Sequence, residues 1–547
     1  MKKIKIKDIY LILVIVLGLI VISLYSTYAL FTSEEITTNT AVNMSVGFSY
    51  GYATNEVEIL TIKAKERKEI SVSISNTSSS SINYNLYYEL VSGDEASLEA
   101  GYTSNTENPT NGVLDASSSK IVMLGFINNS NSDIIVKVGF TTDSIVSPRK
   151  ELNNEVILAT GANAPLLAEG MIPIKWDGTN WVKADSTNSN NDWYDYVNKK
   201  WANAVMVNAS SRDNYMNADE GTTITESDVL AYYVWIPRYK YQLFNVNSEE
   251  MAPILIDVQF ESKNTAKSAG SSNGEYLTHP AFTFGTTELD GIWVGKFETS
   301  GTADNPTIKS GLNSLVYQDV STHFATSQKF TSGTTYLTAN GVSKVDAHMM
   351  KNTEWGAVAY LKQSKYGLGL TDIGNNAYFD SDYKTGCGPA SETDLTSKTT
   401  TCTSYTSTAG VKSSTTGNIY GIYDMAGGAY EYVMGVMKTS KTDSTPAYGL
   451  SGFDASTMPT SKYYDLYAFG TTSYGSSAYA RRILGDATSE TRGWYSDYMD
   501  FIYAENPWFY RGGEVFDGSE AGVFFADGFR GVASTGFSFR SALALGA

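Results

Sequence analysis

RGGEVFDGSEAGVFFADGFRGVASTGFSFRSALALGA closes the chain at residues 511–547. Arg511-Gly512-Gly513, Ala521-Gly522-Val523-Phe524 and Ser538-Phe539-Arg540 read as a stiff frame. The positions between them share no chemistry: Asp527, Gly528, Phe529, Arg530 and Val532 run on without a helical or a strand period. A linker would lack Phe529 and Phe537. Two readings follow. The segment is a recognition surface held on a rigid scaffold, as binding loops commonly are, or it is a C-terminal core strand with decorated loops.

Working outward, composition narrows the class. A chain of 547 residues divides into two to four domains. A formal net charge of −18 argues against nucleic acid and against an anionic membrane surface as partner. The chain has 38 tyrosines, only 18% charged residues and much Ser, Thr, Asn and Gly, which suits an extracellular, mainly β protein with polar loops. The three histidines, His279, His323 and His348, form no close pair, so a histidine zinc site is not expected.

The chain begins with Lys2, Lys3, Lys5 and Lys7 and an apolar run from Ile9 to Leu24, then Thr27-Tyr28-Ala29. Residues 1–30 therefore read as a signal peptide or a transmembrane anchor, which leaves the rest extracellular or at the cell surface. Cys387 and Cys402 lie in a Ser/Thr-rich loop. In an exported chain they are expected to form a disulfide, with free thiols as the alternative.

All nine tryptophans lie between Trp176 and Trp508, which marks a domain change. Residues 31–163 show short alternating strands such as ISVSISN and INYNLYYEL between polar turns, the pattern of a β-sandwich. The opening YALFTS and this strand pattern weakly resemble the camelysin and TasA group of exported proteins, which implies a spacer or fibre subunit. Residues 164–284 read as an aromatic-rich β-module or as the start of the C-terminal domain. There Trp181, Trp193, Trp201 and Trp235 are either a sugar-stacking platform or module core.

Four segments then follow in order: IWVGKFETSG (292–301), MMKNTEWGAVAYL (349–361), GNIYGIYDMAGGAYEYVMG (417–435) and RGG (511–513), before GFSFRSAL (536–543). In the second, Trp355, Val358, Ala359 and Leu361 suit one face of a helix beginning near Asn352. This series resembles the formylglycine-generating, sulfatase-modifying family over roughly 285–547. The family shows EAEW, GLYDMxGNVWEW, RGG and GFR in that order. The resemblance implies an α+β domain of C-type-lectin-like fold in a mainly β protein. It does not carry the oxidase. That chemistry uses a copper-binding cysteine pair between RGG and GFR, and residues 512–540 contain no cysteine. No copper and no enzyme activity are expected, although an enzyme of this class with other chemistry stays open.

The family's structural calcium site maps onto Asp424 and Glu431 as carboxylate ligands and Gly427 and Ala429 as carbonyl ligands, with Gly428 where the family has Asn. The alternative is that the two carboxylates only brace the loop. The end of the chain also resembles variable proteins diversified by retroelements, whose changeable residues sit on this fold between RGG, AGVF and SFR. Adenine mutagenesis of Asn codons cannot yield Lys, Glu, Gln, Met or Trp, and residues 523–538 contain none of the five. The variable region is expected at 508–540. Its recognition residues are expected to be Tyr510, Phe516, Asp517, Phe525, Asp527, Phe529, Arg530 and Phe537, with Trp508 either floor or core. The ligand, protein or glycan, is not named by the sequence. A structural surface or fibre protein is the alternative function.

Overall fold

The computed structural model describes residues 40–42, 58–62, 67–76, 79–102, 109–128, 130, 132–154, 163–168, 170–188, 191–332, 345–375 and 404–545. The chain divides into two compact units, residues 1–160 and 161–547. Residues 1–30 and both cysteines, Cys387 and Cys402, lie outside the described residues. Among the described residues no helix is long and apolar enough to cross a membrane.

The first unit is built from two sheets that share one core. One sheet runs Thr40–Val42, Arg67–Asn76, Ser118–Asn128, Leu98–Tyr102; the other runs Glu58–Ile62, Ile134–Thr141, Ile82–Ser92, Asn111–Leu114. Alternation explains the pairing. Ile70 and Val72 lie opposite Leu124 and Val122, and all four are buried with Val136, Val138 and Leu86 of the second sheet.

The second unit is also mainly β. Its main strands are β1 (Ile172–Trp176), β2 (Trp181–Lys183), β3 (Asn203–Val207), β4 (Val229–Pro237), β5 (Gly291–Gly295) and β6 (Val345–Met349). They continue with β7 (Tyr430–Met437), β8 (Asp465–Tyr467), β9 (Trp508–Gly512), β10 (Gly522–Phe529), β11 (Phe537–Phe539) and β12 (Ser541–Leu545). The larger sheet has the order β2-β1-β3-β4-β5-β12-β6. The chain's last strand is thus threaded between β5 and β6, with Trp293 opposite Leu543 and His348 opposite Ala542. The aromatic stretch after residue 164 supplies four strands of this same sheet. Its Trp181, Trp193, Trp201 and Trp235 are all buried, so they are core and not a stacking platform.

The smaller sheet carries the interest. β7 is its axis, antiparallel to β9 and parallel to both β8 and β11, and β10 pairs with β9. Among the described residues the longer helices of this unit are α1 (Ala209–Asn217), α2 (Val320–Ser332) and α3 (Asn352–Lys362). The start of α3 at Asn352 follows its sequence signal. The Glu354 carboxylate accepts the backbone N–H of Lys351 at 2.8 Å, which satisfies an end donor in the first turn. The expected one-sided burial does not hold: every residue of α3 is buried, so the helix is a central pillar.

Candidate functional site

The smaller sheet has two faces with different jobs. On one, Glu431 (β7) and Arg511 (β9) lie opposite each other, yet they do not pair by charge. Glu431 takes the Arg540 guanidinium instead, through Nε at 3.0 Å and Nη2 at 2.5 Å. Arg540 also donates to the carbonyls of Gly295 at 3.0 Å and Tyr423 at 3.1 Å. Arg511 donates to Ala487 O at 2.7 Å and Asn352 Oδ1 at 3.2 Å, and its guanidinium lies over Trp355. Trp355 in turn donates to Val523 O at 2.8 Å, so α3 is bolted to β10. Burial lowers Arg511 to about 10. It remains charged at neutral pH.

This geometry bears on the expected calcium ligands Asp424, Gly427, Ala429 and Glu431. Both oxygens of Glu431 are engaged by Arg540, which supplies the positive charge a cation would have brought. Ala429 N–H donates to the Glu298 carboxylate at 2.9 Å, and Gly427 N–H donates to Gly512 O at 3.0 Å. Glu298, which the sequence reading did not single out, also accepts from Ser314. Burial raises it far above the usual carboxylate range, and the nearby charges of Glu431 and Asp424 add to that. Asp424 is buried with a left-handed backbone, φ 59°. A cation at Glu431 would have to displace the Arg540 guanidinium, which donates to both Glu431 oxygens and to the carbonyls of Gly295 and Tyr423. Among the described residues no group of three or more His, Cys, Asp or Glu is placed to hold a metal. Gly428 has its own reason to be glycine. Its φ is 78°, and a Cβ there would lie 2.3 Å from Glu298 Oε1.

The other face is aromatic. Tyr432 stacks on Phe537 at 4.6 Å, Phe537 stacks on Phe529 at 5.3 Å, and Tyr430 meets Tyr510 edge-on at 4.8 Å. Phe525 lies among Tyr430, Tyr510 and Tyr498 at 5.7–5.9 Å. Carboxylates decorate the rings: Tyr510 donates to Asp527 at 2.6 Å and Tyr430 to Asp517 at 3.0 Å. Each of these phenols is raised by burial first and by the neighbouring carboxylates second. Asp527 itself is raised, mainly by burial.

The expected recognition residues separate on this face. Phe516 and Arg530 are exposed, and Asp517, Asp527 and Phe529 are half-buried. Tyr510, Phe525 and Phe537 are buried at 8%, 3% and 7% exposure, and Trp508 is fully buried. These four belong to the core under the face and not to its surface. A second point concerns the backbone. Asp527, Gly528 and Phe529, which show no period in the sequence, belong to strand β10 with Val523 and Phe524 of the frame, as the core-strand alternative has it; Tyr510 lies opposite Asp527 and Trp508 opposite Phe529, and the register shifts between Arg511 and Gly512. Phe525, Asp527 and Phe529 therefore share one side of the sheet by ordinary alternation. What is irregular and open is the turn after Glu514, with Phe516 to Glu520, and the stretch Arg530 to Thr535.

No family model matches the chain, and no curated protein matches it. Among solved structures it is similar to Treponema denticola variable protein 1, at 13% identity over 57% of this chain and 95% of that one, with a TM-score of 0.21. At that score the likeness fixes neither fold nor function.

Sequence reasoning overlooked Tyr430, the ring that touches Tyr510, Phe525, Phe537 and Asp517 at once. The only signal for it was the alternation Tyr430-Glu431-Tyr432, which puts the acid on one face and both rings on the other. It also overlooked Lys296, fully buried and donating to Asn203 Oδ1 at 2.8 Å and Ile419 O at 2.6 Å.

Proposed function

We propose that the protein is an exported or surface-displayed binding protein. Its C-terminal domain, of the lectin-like kind found in sulfatase-modifying and retroelement-diversified proteins, recognises a ligand with the exposed and half-buried residues that lie over its aromatic core, and has no oxidase activity. The observation that carries the reading is the split within residues 511–540. Arg511, Gly512, Phe524, Phe539 and Arg540 are buried in a hydrogen-bonded frame, while Phe516 and Arg530 are exposed and residues 532–535 are half-buried. A buried, hydrogen-bonded frame beside more exposed loops is what a recognition module requires. Residues 512–540 contain no cysteine, which is why no copper-dependent oxidase chemistry is part of this reading.

The test is a capture screen of bacterial surfaces, proteins and glycans with the wild type and with Phe516→Ala plus Arg530→Ala. Loss of a wild-type ligand by a variant with an unchanged melting profile supports the reading. Retention of every ligand by that variant removes it.

A further inference from the structure

The open face has a consistent charge. Asp500, Asp517 and Asp527 gather around the rings of Tyr430, Tyr498 and Tyr510: Asp500 and Asp517 add to burial in raising Asp527, and Asp500 and Asp527 do the same to Tyr498. The three carboxylates are held by hydroxyls and amides. Ser473 Oγ donates to Asp500 at 2.9 Å, Tyr430 Oη and Glu514 N to Asp517 at 3.0 and 2.9 Å, and Tyr510 Oη and Gly528 N to Asp527 at 2.6 Å each. Among the described residues no lysine or arginine pairs with any of them. The basic residue on the face, Arg530, lies over Phe529.

Large apolar side chains from elsewhere in the chain border the same face. Tyr317 is 60% exposed and donates its N–H to Ser534 O at 2.9 Å; its φ of 64° is rare for a bulky residue. Leu450 is 54% exposed and donates its N–H to Arg530 O at 2.7 Å. Tyr498 is 41% exposed and packs on Phe525. Tyr317 and Leu450 are thus exposed large side chains tied by their backbone to the open stretch Arg530 to Thr535.

We infer that this face docks a positively charged segment of a partner protein, whose lysine or arginine side chains lie against Tyr430, Tyr498, Asp500, Asp517 and Asp527, with Tyr317 and Leu450 as apolar contacts at the rim. The inference rests on the recognition reading above and narrows its ligand class. Aromatic rings edged by carboxylates are complementary to ammonium and guanidinium groups, through ring quadrupoles and charge-assisted hydrogen bonds. A neutral glycan would use the rings and leave the negative field without a counterpart.

The test uses the full chain and labelled octa-arginine and octa-lysine peptides, with octa-glutamate as control. Asp500→Asn, Asp517→Asn and Asp527→Asn combined are expected to weaken binding by about tenfold or more. Asp213→Asn, Asp219→Asn and Glu249→Gln combined change net charge equally at exposed sites that none of these contacts involve and are expected to stay within about twofold of wild type. Tyr498→Ala, at an exposed ring, is the second variant, expected to lose about threefold or more without a change in melting. Equal weakening by both triple variants means that net charge alone binds the peptides and overturns the inference. So does an absence of binding to wild type. If peptide binding is absent while Phe516→Ala with Arg530→Ala still loses a ligand in the capture screen, recognition stands and the cationic class falls.

Discussion

Arg540 Nη2 lies 2.5 Å from Glu431 Oε1 with both side chains fully buried, so the last arginine of the chain closes the loop that the sequence suggested for calcium. Breaking a buried pair from one side leaves a charge without its counterion, at a cost of about 3–5 kcal/mol. Arg540→Ala is therefore expected to lower the melting midpoint sharply. Wild type is expected to melt at the same temperature in calcium and in chelator, since a ligand that binds the folded state would raise it. A calcium-dependent rise in the midpoint would restore the metal site and remove Arg540 from its role.

The sequence points to Phe537 and Phe516 alike as recognition residues, and the structure divides them. Phe537 stacks between Tyr432 and Phe529 in the core, and Phe516 is 39% exposed. Phe537→Ala is expected to cost about 3–5 kcal/mol and Phe516→Ala under about 0.5. Denaturant titrations of the two single variants check this, and equal losses would mean that Phe516 is also core.

Glycine 428 carries a similar expectation. Its left-handed backbone and the Glu298 carboxylate 2.3 Å from a would-be Cβ leave no place for a side chain. Gly428→Asn, which recreates the commoner motif of the resembling family, is expected to destabilise by roughly 1–3 kcal/mol. Gly428→Asn combined with Glu298→Ala should recover part of that loss, because the clash is with that one side chain. No recovery would place the strain in the backbone alone.

The alternating strands such as INYNLYYEL, the start of α3 and the mainly β character were legible because each depends on neighbours in the chain. Asn352 and Glu354 announce a helix within one turn. The course of β10 was not legible. Asp527 and Gly528 look like strand breakers, yet the Asp527 carboxylate is satisfied by Tyr510, which sits across the ladder and not beside it in sequence. Phe525 and Phe537 read as surface residues because the rings that bury them, Tyr430 and Tyr432, belong to a strand about a hundred residues earlier. Glu431 read as a metal ligand for the same reason: its cation, Arg540, comes from 109 residues later. Local pattern shows which residues can line a face, and distant pairing decides which of them are covered.

Acid titration offers a separate check on the interior. Burial raises Asp497 to about 8, with the Asp372 charge adding to it, and it accepts the Phe524 N–H at 2.9 Å. In the unfolded chain an aspartate titrates near 3.9, approximately. Between those values the folded state holds a proton that the unfolded state has lost, so stability falls as pH rises through this window and levels off above about 8. The slope for one proton is at most about 1.4 kcal/mol per pH unit. Asp497→Asn keeps an acceptor for Phe524 N–H and never ionises. It is expected to be more stable than wild type at pH 7, with the gap closing towards pH 4. The comparison belongs between roughly pH 5 and 7, below the range in which Lys362, lowered by burial to about 8, gives up its own proton. Glu490, raised by burial to about 7, titrates alike in both proteins and cancels in their difference. Parallel stability curves for the two proteins across this range would mean that Asp497 is already ionised in the folded state, and that the Lys362 ammonium beside it holds it so.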